Sequence, residues 1–228
     1  MPRKQKPSQQ RKINSDVQFR IAESYKIART NLAYSIMKQG CKKIFFTSSL
    51  PGEGKSTTAV HLAISLSQQI NTKVLLIDCD LRKPQINRYF NLKQTPGLTN
   101  YFAGLCKLGD IIHEVPDYKL SVICSGVVLP NPSELLASKG MGELIAYLEK
   151  SYDYIIMDTP PINVVVDALG LVNYVDGVAF IVKEGVSKTA ELDKSLKTLE
   201  HVGAKVLGFI LNDTKYDSKE DYKYEYKS

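Results

Sequence analysis

Short apolar runs alternate along this chain with segments whose apolar residues recur at helical spacing. Residues 44–46, 74–77, 120–123, 154–157, 178–182 and 206–211 are near-continuous apolar runs of strand length. Runs without polar alternation belong to strands covered on both faces, the habit of parallel sheets. After the first run, Ala59, Leu62, Ala63, Leu66 and Ile70 recur as one helix face, and further helical segments fall around residues 133–150 and 188–201. Ahead of them, Phe19, Ile21, Ala22, Tyr25, Ala28, Leu32 and Ile36 place a helix over residues 19–37. Strands and helices in alternation predict an α/β fold, a doubly wound and mostly parallel sheet with helices on both faces.

The two ends break this pattern. Residues 2–12 hold Arg3, Lys4, Lys6, Arg11 and Lys12 with no large apolar side chain, so residues 1–15 are expected to form a flexible basic arm. From residue 213 onward there is no Val, Ile, Leu, Met or Phe, only charge, small polar residues and tyrosine, so residues 213–228 are expected to be a disordered tail. Between them, residues 16–212 make one domain, which suits a chain of 228 residues that is 43% hydrophobic.

Composition removes several classes. The net charge of +6 is spread along the chain rather than gathered beside aromatic residues, so no nucleic-acid partner is expected. Cys41, Cys79, Cys106 and Cys124 form no CxxC pair and have no histidine at ligand spacing, which argues for reduced thiols rather than disulfides or zinc. His61, His113 and His201 are isolated. No run approaches the roughly 18 apolar residues that span a bilayer, and the N-terminus lacks the apolar stretch of a signal peptide; a cytoplasmic location is expected.

The chemistry is concentrated where apolar runs end. Ser49-Leu50-Pro51-Gly52-Glu53-Gly54-Lys55-Ser56 lies between a strand and a helix, the setting in which a glycine-rich turn cradles phosphate. The glycines let backbone N–H groups converge on phosphate oxygens, Lys55 reaches the β and γ phosphates, and the helix N-terminus adds its positive end. Ser56 can then offer its hydroxyl to Mg2+. Ser49 stands where such loops usually begin with glycine. The run 74–77 leads into Asp78-Cys79-Asp80-Leu81-Arg82-Lys83-Pro84, and the run 154–157 into Asp158-Thr159-Pro160-Pro161. Both deliver carboxylates to the sheet edge where ligands of such folds sit, and hard oxygen donors there suit magnesium. One aspartate suffices to organise the ion's water shell in an ATPase with this loop. Three leave one free to act as a base.

These three motifs resemble those of the bacterial tyrosine kinases, specifically the cytoplasmic kinase subunits of Gram-positive capsule and exopolysaccharide systems. Pro130-Asn131-Pro132-Ser133-Glu134-Leu135-Leu136 resembles the family's segment between the second and third motifs, and the tyrosine-rich end resembles its autophosphorylation cluster. The resemblance implies a P-loop kinase fold, ATP or ADP with Mg2+ as cofactors, and nucleotide contacts from residues 51–57, that is Pro51, Gly52, Glu53, Gly54, Lys55, Ser56 and Thr57. It also implies a deprotonating role for Asp78, with Asp80 and Asp158 organising the ion beside Ser56 and with Asn212 at the adenine. Glu23, Lys26 and Arg29 resemble the family's subunit-contact motif, with Lys26 in place of an arginine, and imply a ring-like homo-oligomer. Spacing alone says that the trio shares one solvated helix face. The resemblance further implies a membrane-bound activator of the polysaccharide co-polymerase kind, which recruits the chain to the inner face of the membrane, and a cognate tyrosine phosphatase.

Tyr216, Tyr222, Tyr224 and Tyr226 are the expected acceptors, reached between subunits because a short tail must turn sharply to meet its own site. Two alternatives stand beside the kinase. One is a positioning or partitioning ATPase on the same fold, against which stand Leu50, where those proteins carry an extra lysine, and the tyrosine-rich tail. The other is a non-catalytic nucleotide-gated module, against which stand Lys55, Asp78, Asp80 and Asp158.

Overall fold

A computed structural model describes the backbone of residues 7–214 and the side chains from residue 17 onward. Its sheet has seven strands in the order β3-β4-β2-β5-β1-β6-β7. They span β1 (Lys42–Ser48), β2 (Val74–Asp78), β3 (Ile112–Val115), β4 (Leu120–Ile123), β5 (Tyr154–Asp158), β6 (Gly177–Lys183) and β7 (Val206–Asn212). All neighbours pair in parallel except β3, which runs antiparallel to β4 at one edge.

Alternation along each central strand divides the core in two. In β1, Ile44 and Phe46 face a cluster built with α1 (Pro7–Ser35) and α2 (Lys55–Ser67), whereas Phe45 faces the opposite cluster. That second cluster takes Met141, Leu144, Ile145 and Leu148 from α7 (Lys139–Leu148) and Leu199 from α8 (Thr189–His201). Ile44, Phe45, Phe46 and every residue of β2 are fully or almost fully buried, so helices cover both faces as the apolar runs required. Burial pushes the Cys41 thiol up to about 11 and the Cys124 thiol up to about 12, and all four cysteines are free.

Four features differ from the sequence expectation. Helix α1 begins at Pro7, so residues 7–15, read as part of a flexible arm, continue the helix expected over 19–37. Residues 8–35 contain no glycine or proline, and Pro7 sits in the first turn, where its missing N–H costs no bond. The helix expected around 133–150 is two, α6 (Pro132–Leu136) and α7, because Ser138 leaves the helical conformation and caps α7 by accepting the Met141 N–H at 3.1 Å. Strand β3 carries too little apolar sequence to be foreseen. The last difference is in β7, which is not buried on both faces. Phe209 and Leu211 are 54% and 56% exposed, because this strand lies at the edge of the sheet, where it packs against α1 and Phe209 meets the edge of the Phe180 ring.

Short elements complete the chain. Helices α3 (Ile86–Tyr89), α4 (Leu98–Phe102) and α5 (Leu108–Ile111) link β2 to β3, and a 3-10 helix (Asp167–Tyr174) follows β5. Among the described residues no helix is long and apolar enough to cross a membrane.

Candidate active site

The register of the sheet assembles the site. Asp78 pairs with Asp158 across β2 and β5, and Asp158 pairs with Phe46 across β5 and β1, so three parallel strands end side by side. Strand β1 leads into the loop 49–54, and α2 starts immediately at Lys55. Gly54 is its N-cap at φ 93°, and no side chain caps the helix. The first-turn N–H groups of α2 therefore keep their capacity for an anionic ligand. Glycine is required at 54 on two counts. The φ is left-handed, and a Cβ would lie 1.9 Å from Asn212 Nδ2.

Lys55 stands at the centre. Its ammonium donates to Asp80 Oδ2 at 2.8 Å and to Ser56 Oγ at 3.3 Å, and lies 3.8 Å from Asp158 Oδ1. Asp80, 5% exposed, also accepts the Lys83 N–H at 3.0 Å. Asp78 is fully buried and satisfied by backbone. Its Oδ1 accepts the Asp80 N–H at 3.2 Å, and its Oδ2 accepts the N–H groups of Gln85 and Ile86 at 3.1 and 3.0 Å. Asp158 is equally buried, yet neither of its oxygens has a hydrogen-bond partner.

Electrostatics follow from this geometry. Burial, with the neighbouring Asp158 charge, pushes the Asp78 carboxyl up to about 8 despite its N–H bonds, and burial pushes Asp158 up to about 6 against the pull of Lys55. Burial works against the Lys55 ammonium, but Asp158 and Asp80 outweigh it and hold the amine above its ordinary range. Even with Asp78 protonated near neutrality, Asp80 and Asp158 around one lysine leave the site short of positive charge.

That shortage, with the two orphaned oxygens of Asp158, fits a divalent cation held by Asp158, Asp80 and the Ser56 hydroxyl. Among the described residues no cluster of three or more His, Cys, Asp or Glu forms a complete metal cage. This is the donor set expected for Mg2+, which keeps water and phosphate oxygens as most of its ligands.

The residues expected from sequence thus converge, with differences in detail. Lys55, Ser56, Asp78, Asp80 and Asp158 share one site. The Thr57 hydroxyl is bonded to that of Tyr89 at 2.6 Å. Asn212 borders the loop and spends its Nδ2 on the Glu53 carbonyl at 3.0 Å. Of the trio on α1, Glu23 and Lys26 pair at 2.6 Å on the exposed face, but Arg29 turns inward and donates to the Ser65 carbonyl at 2.5 Å, near the C-terminus of α2. Tyr216, Tyr222, Tyr224 and Tyr226 lie outside the described residues. Two ties were not foreseen. Arg82 grips the buried Asp167 through Nε at 2.6 Å and Nη2 at 3.1 Å, joining the loops after β2 and β5, and the buried Glu53 carboxylate binds within the loop and to Ser187. Arg82 lies within a motif read from sequence, but nothing in the sequence marks Asp167 as its partner.

The AAA domain family matches residues 41–205. The tyrosine-protein kinase YwqD of Bacillus subtilis is 39% identical over 203 residues, 89% of this chain and 85% of the relative. The tyrosine-protein kinase CpsD of Streptococcus agalactiae serotype III is 41% identical, covering 83% and 81%. Among solved structures, the kinase domain of the Escherichia coli tyrosine kinase ETK superposes with a TM-score of 0.82 at 32% identity, over 90% of this chain and 80% of that one. The septum site-determining protein MinD of Pyrococcus horikoshii, at 24% identity and a TM-score of 0.63 over 75% of this chain and 70% of that one, shares the fold.

Proposed function

The chain belongs to the bacterial tyrosine-protein kinases and is itself a protein-tyrosine kinase; from that premise we propose which residues carry the phosphoryl transfer and what receives it. The observation that carries the reading is the Lys55 ammonium held among Asp80, Asp158 and Ser56 at the end of a glycine-shaped loop. ATP binds along this loop, its phosphates against the N–H groups of residues 52–57 and its adenine beside Asn212. Lys55 exchanges Asp80 for the β and γ phosphates. Ser56, Asp80 and Asp158 would hold Mg2+, which when bound would supply charge neutralisation at the phosphates.

A tyrosine hydroxyl then attacks the γ phosphorus in line. A bond forms from its oxygen to phosphorus, the bond from phosphorus to the β,γ-bridging oxygen breaks, and ADP departs. The phenolic proton goes to the carboxylate pair of the second loop. Asp80 offers the more exposed oxygen of the pair, and Asp78 assists from behind it by accepting the Asp80 N–H at 3.2 Å. Arg82, anchored on Asp167, keeps the loops after β2 and β5 in step.

The acceptors are Tyr216, Tyr222, Tyr224 and Tyr226 of another copy. Support comes from where the tail begins. Asp213 is ion-paired to Lys183 at 3.1 Å, and its neighbour Asn212 touches the loop, so the following residues leave from the rim of the site. The fifteen residues 214–228 can extend to about 50 Å. The wider setting is capsule or exopolysaccharide synthesis, with a membrane-bound activator recruiting a homo-oligomer to the inner face of the membrane and a phosphatase resetting the tail. What supports it is the kinship with capsule-system kinases. Leu50 and the tyrosine tail continue to speak against a positioning ATPase.

Incubation of the full chain with ATP and Mg2+, with and without the activator's cytoplasmic segment, followed by mass spectrometry, tests this. Phosphate is expected on residues 216–226 and absent in Lys55→Met. ATP turnover without phosphotyrosine under either condition contradicts it.

A further inference from the structure

Glu53 is 1% exposed, a buried carboxylate at the tip of a loop built to receive phosphate, and the transfer chemistry gives it no task. Its oxygens are both engaged. Oε2 accepts the Leu50 N–H at 2.8 Å, folding the loop on itself, and Oε1 accepts the hydroxyl of Ser187, whose oxygen accepts the Lys183 N–H at 2.8 Å. A second buried link leaves the other end of the loop. The Ser49 hydroxyl, where a glycine is usual, meets Ser195 Oγ at 3.1 Å, and Ser195 donates to Asn163 Oδ1 at 3.0 Å. Asn163 in turn donates to the Glu191 carbonyl and carboxylate, each at 2.8 Å. Both ends of the phosphate loop are therefore tied to one segment, residues 183–195, made of the turn after β6 and the first half of α8.

We infer that this segment is a positioning element for nucleotide, gripping the phosphate loop through Glu53–Ser187 and Ser49–Ser195, and that the Glu53 and Ser187 side chains set ATP affinity without touching ATP. Three details support a role in shaping the site over mere packing. The link to Ser187 fixes the residue whose carbonyl holds Asn212, the adenine-side residue. The Glu184 N–H donates to the Asn212 carbonyl at 3.0 Å, so the same turn holds Asn212 from the other side. Neutral hydroxyls on both ties satisfy a buried carboxylate and a buried serine without adding a charge that the phosphates would meet. A carboxylate freed from Ser187 would swing towards the phosphates and repel them. The inference rests on the loop being the ATP site.

The test compares wild type with Ser187→Ala, Ser187→Thr, Glu53→Gln and Ser195→Ala. Each is measured for binding of a fluorescent ADP analogue with Mg2+, for KM of ATP and kcat of tyrosine phosphorylation, and for melting temperature without ligand. Wild-type binding of the analogue establishes the ATP site independently; its absence would overturn the kinase reading and this inference together. With that established, Ser187→Ala is expected to weaken ADP and raise KM for ATP by about tenfold, the scale of one hydrogen bond to a charged group. Its kcat should stay near wild type while its melting temperature falls by no more than the few degrees of one lost hydrogen bond, Glu53→Gln should lie between the two, and Ser187→Thr should restore affinity. ADP affinity and KM unchanged in Ser187→Ala, or kcat falling with KM constant, would overturn the inference while leaving the kinase intact.

Discussion

Asp158 carries the site's sharpest residue-scale expectation. Its folded-state pKa, like that of Asp78, is raised above the ordinary carboxylate value, so the folded protein holds protons that the unfolded chain releases. The resulting stability is present at low pH and is lost as pH rises through about 6 for Asp158 and about 8 for Asp78. Without nucleotide, the melting temperature is therefore expected to fall between pH 5 and 8. Asp158→Asn should flatten the lower part of that fall and melt higher than wild type at pH 8, while losing the stabilisation that Mg2+ and ADP give to wild type. A wild-type melting temperature that rises over this range would contradict the assignment. Gly54→Ala meets both a left-handed φ and the Asn212 amide, and is expected to destabilise by about 1–3 kcal/mol from strain alone. Asn212→Ala added to it should recover only the overlap, as thermal melting of the pair will show. The sequence displayed Lys55, Ser56 and the three aspartates because motif spacing at strand ends is local. It could not display Ser187 or Ser195, which reach the loop across 134 and 146 residues of chain through single hydroxyls. The one local hint was Ser49 in a glycine's place.

At the scale of elements, the central strands were legible because burial on both faces removes polar residues from them. Strand β7 read the same way and is not the same, since apolar composition does not report that a strand lies at the edge of the sheet. The break at Ser138 was written in a capping residue, while the antiparallel β3 had no apolar signature to read. Arg29 is the residue whose element-level task changed. By donating to the Ser65 carbonyl, it fastens α1 to the C-terminal end of α2, the end whose dipole favours a cation. Arg29→Ala is expected to lower the stability of the single chain by about 1–2 kcal/mol, readable by urea unfolding at concentrations too low for assembly. Glu23→Ala, on the exposed face, should leave that stability within about 0.5 kcal/mol. Equal losses in both would contradict the distinction.

For the whole molecule, the basic balance of the chain conceals a tail of opposite sign. Residues 213–228 hold five acidic residues and four lysines, a net charge of −1. Four phosphates, each adding about −1.5 to −2, bring the tail to about −7 to −9. Tails of that charge would repel one another and be driven from a site that holds ATP, so full phosphorylation is expected to dissociate the proposed homo-oligomer. Mass measured in solution before and after modification checks this, and an unchanged mass contradicts it. Transfer between copies is measured by mixing two forms of the whole chain with ATP and Mg2+. The donor carries Tyr→Phe at 216, 222, 224 and 226 and keeps its site, and the acceptor carries Lys55→Met and keeps its tyrosines. Phosphotyrosine on the Lys55→Met chain is the predicted result. A Lys55→Met chain that stays unmodified while the donor consumes ATP would contradict transfer between copies.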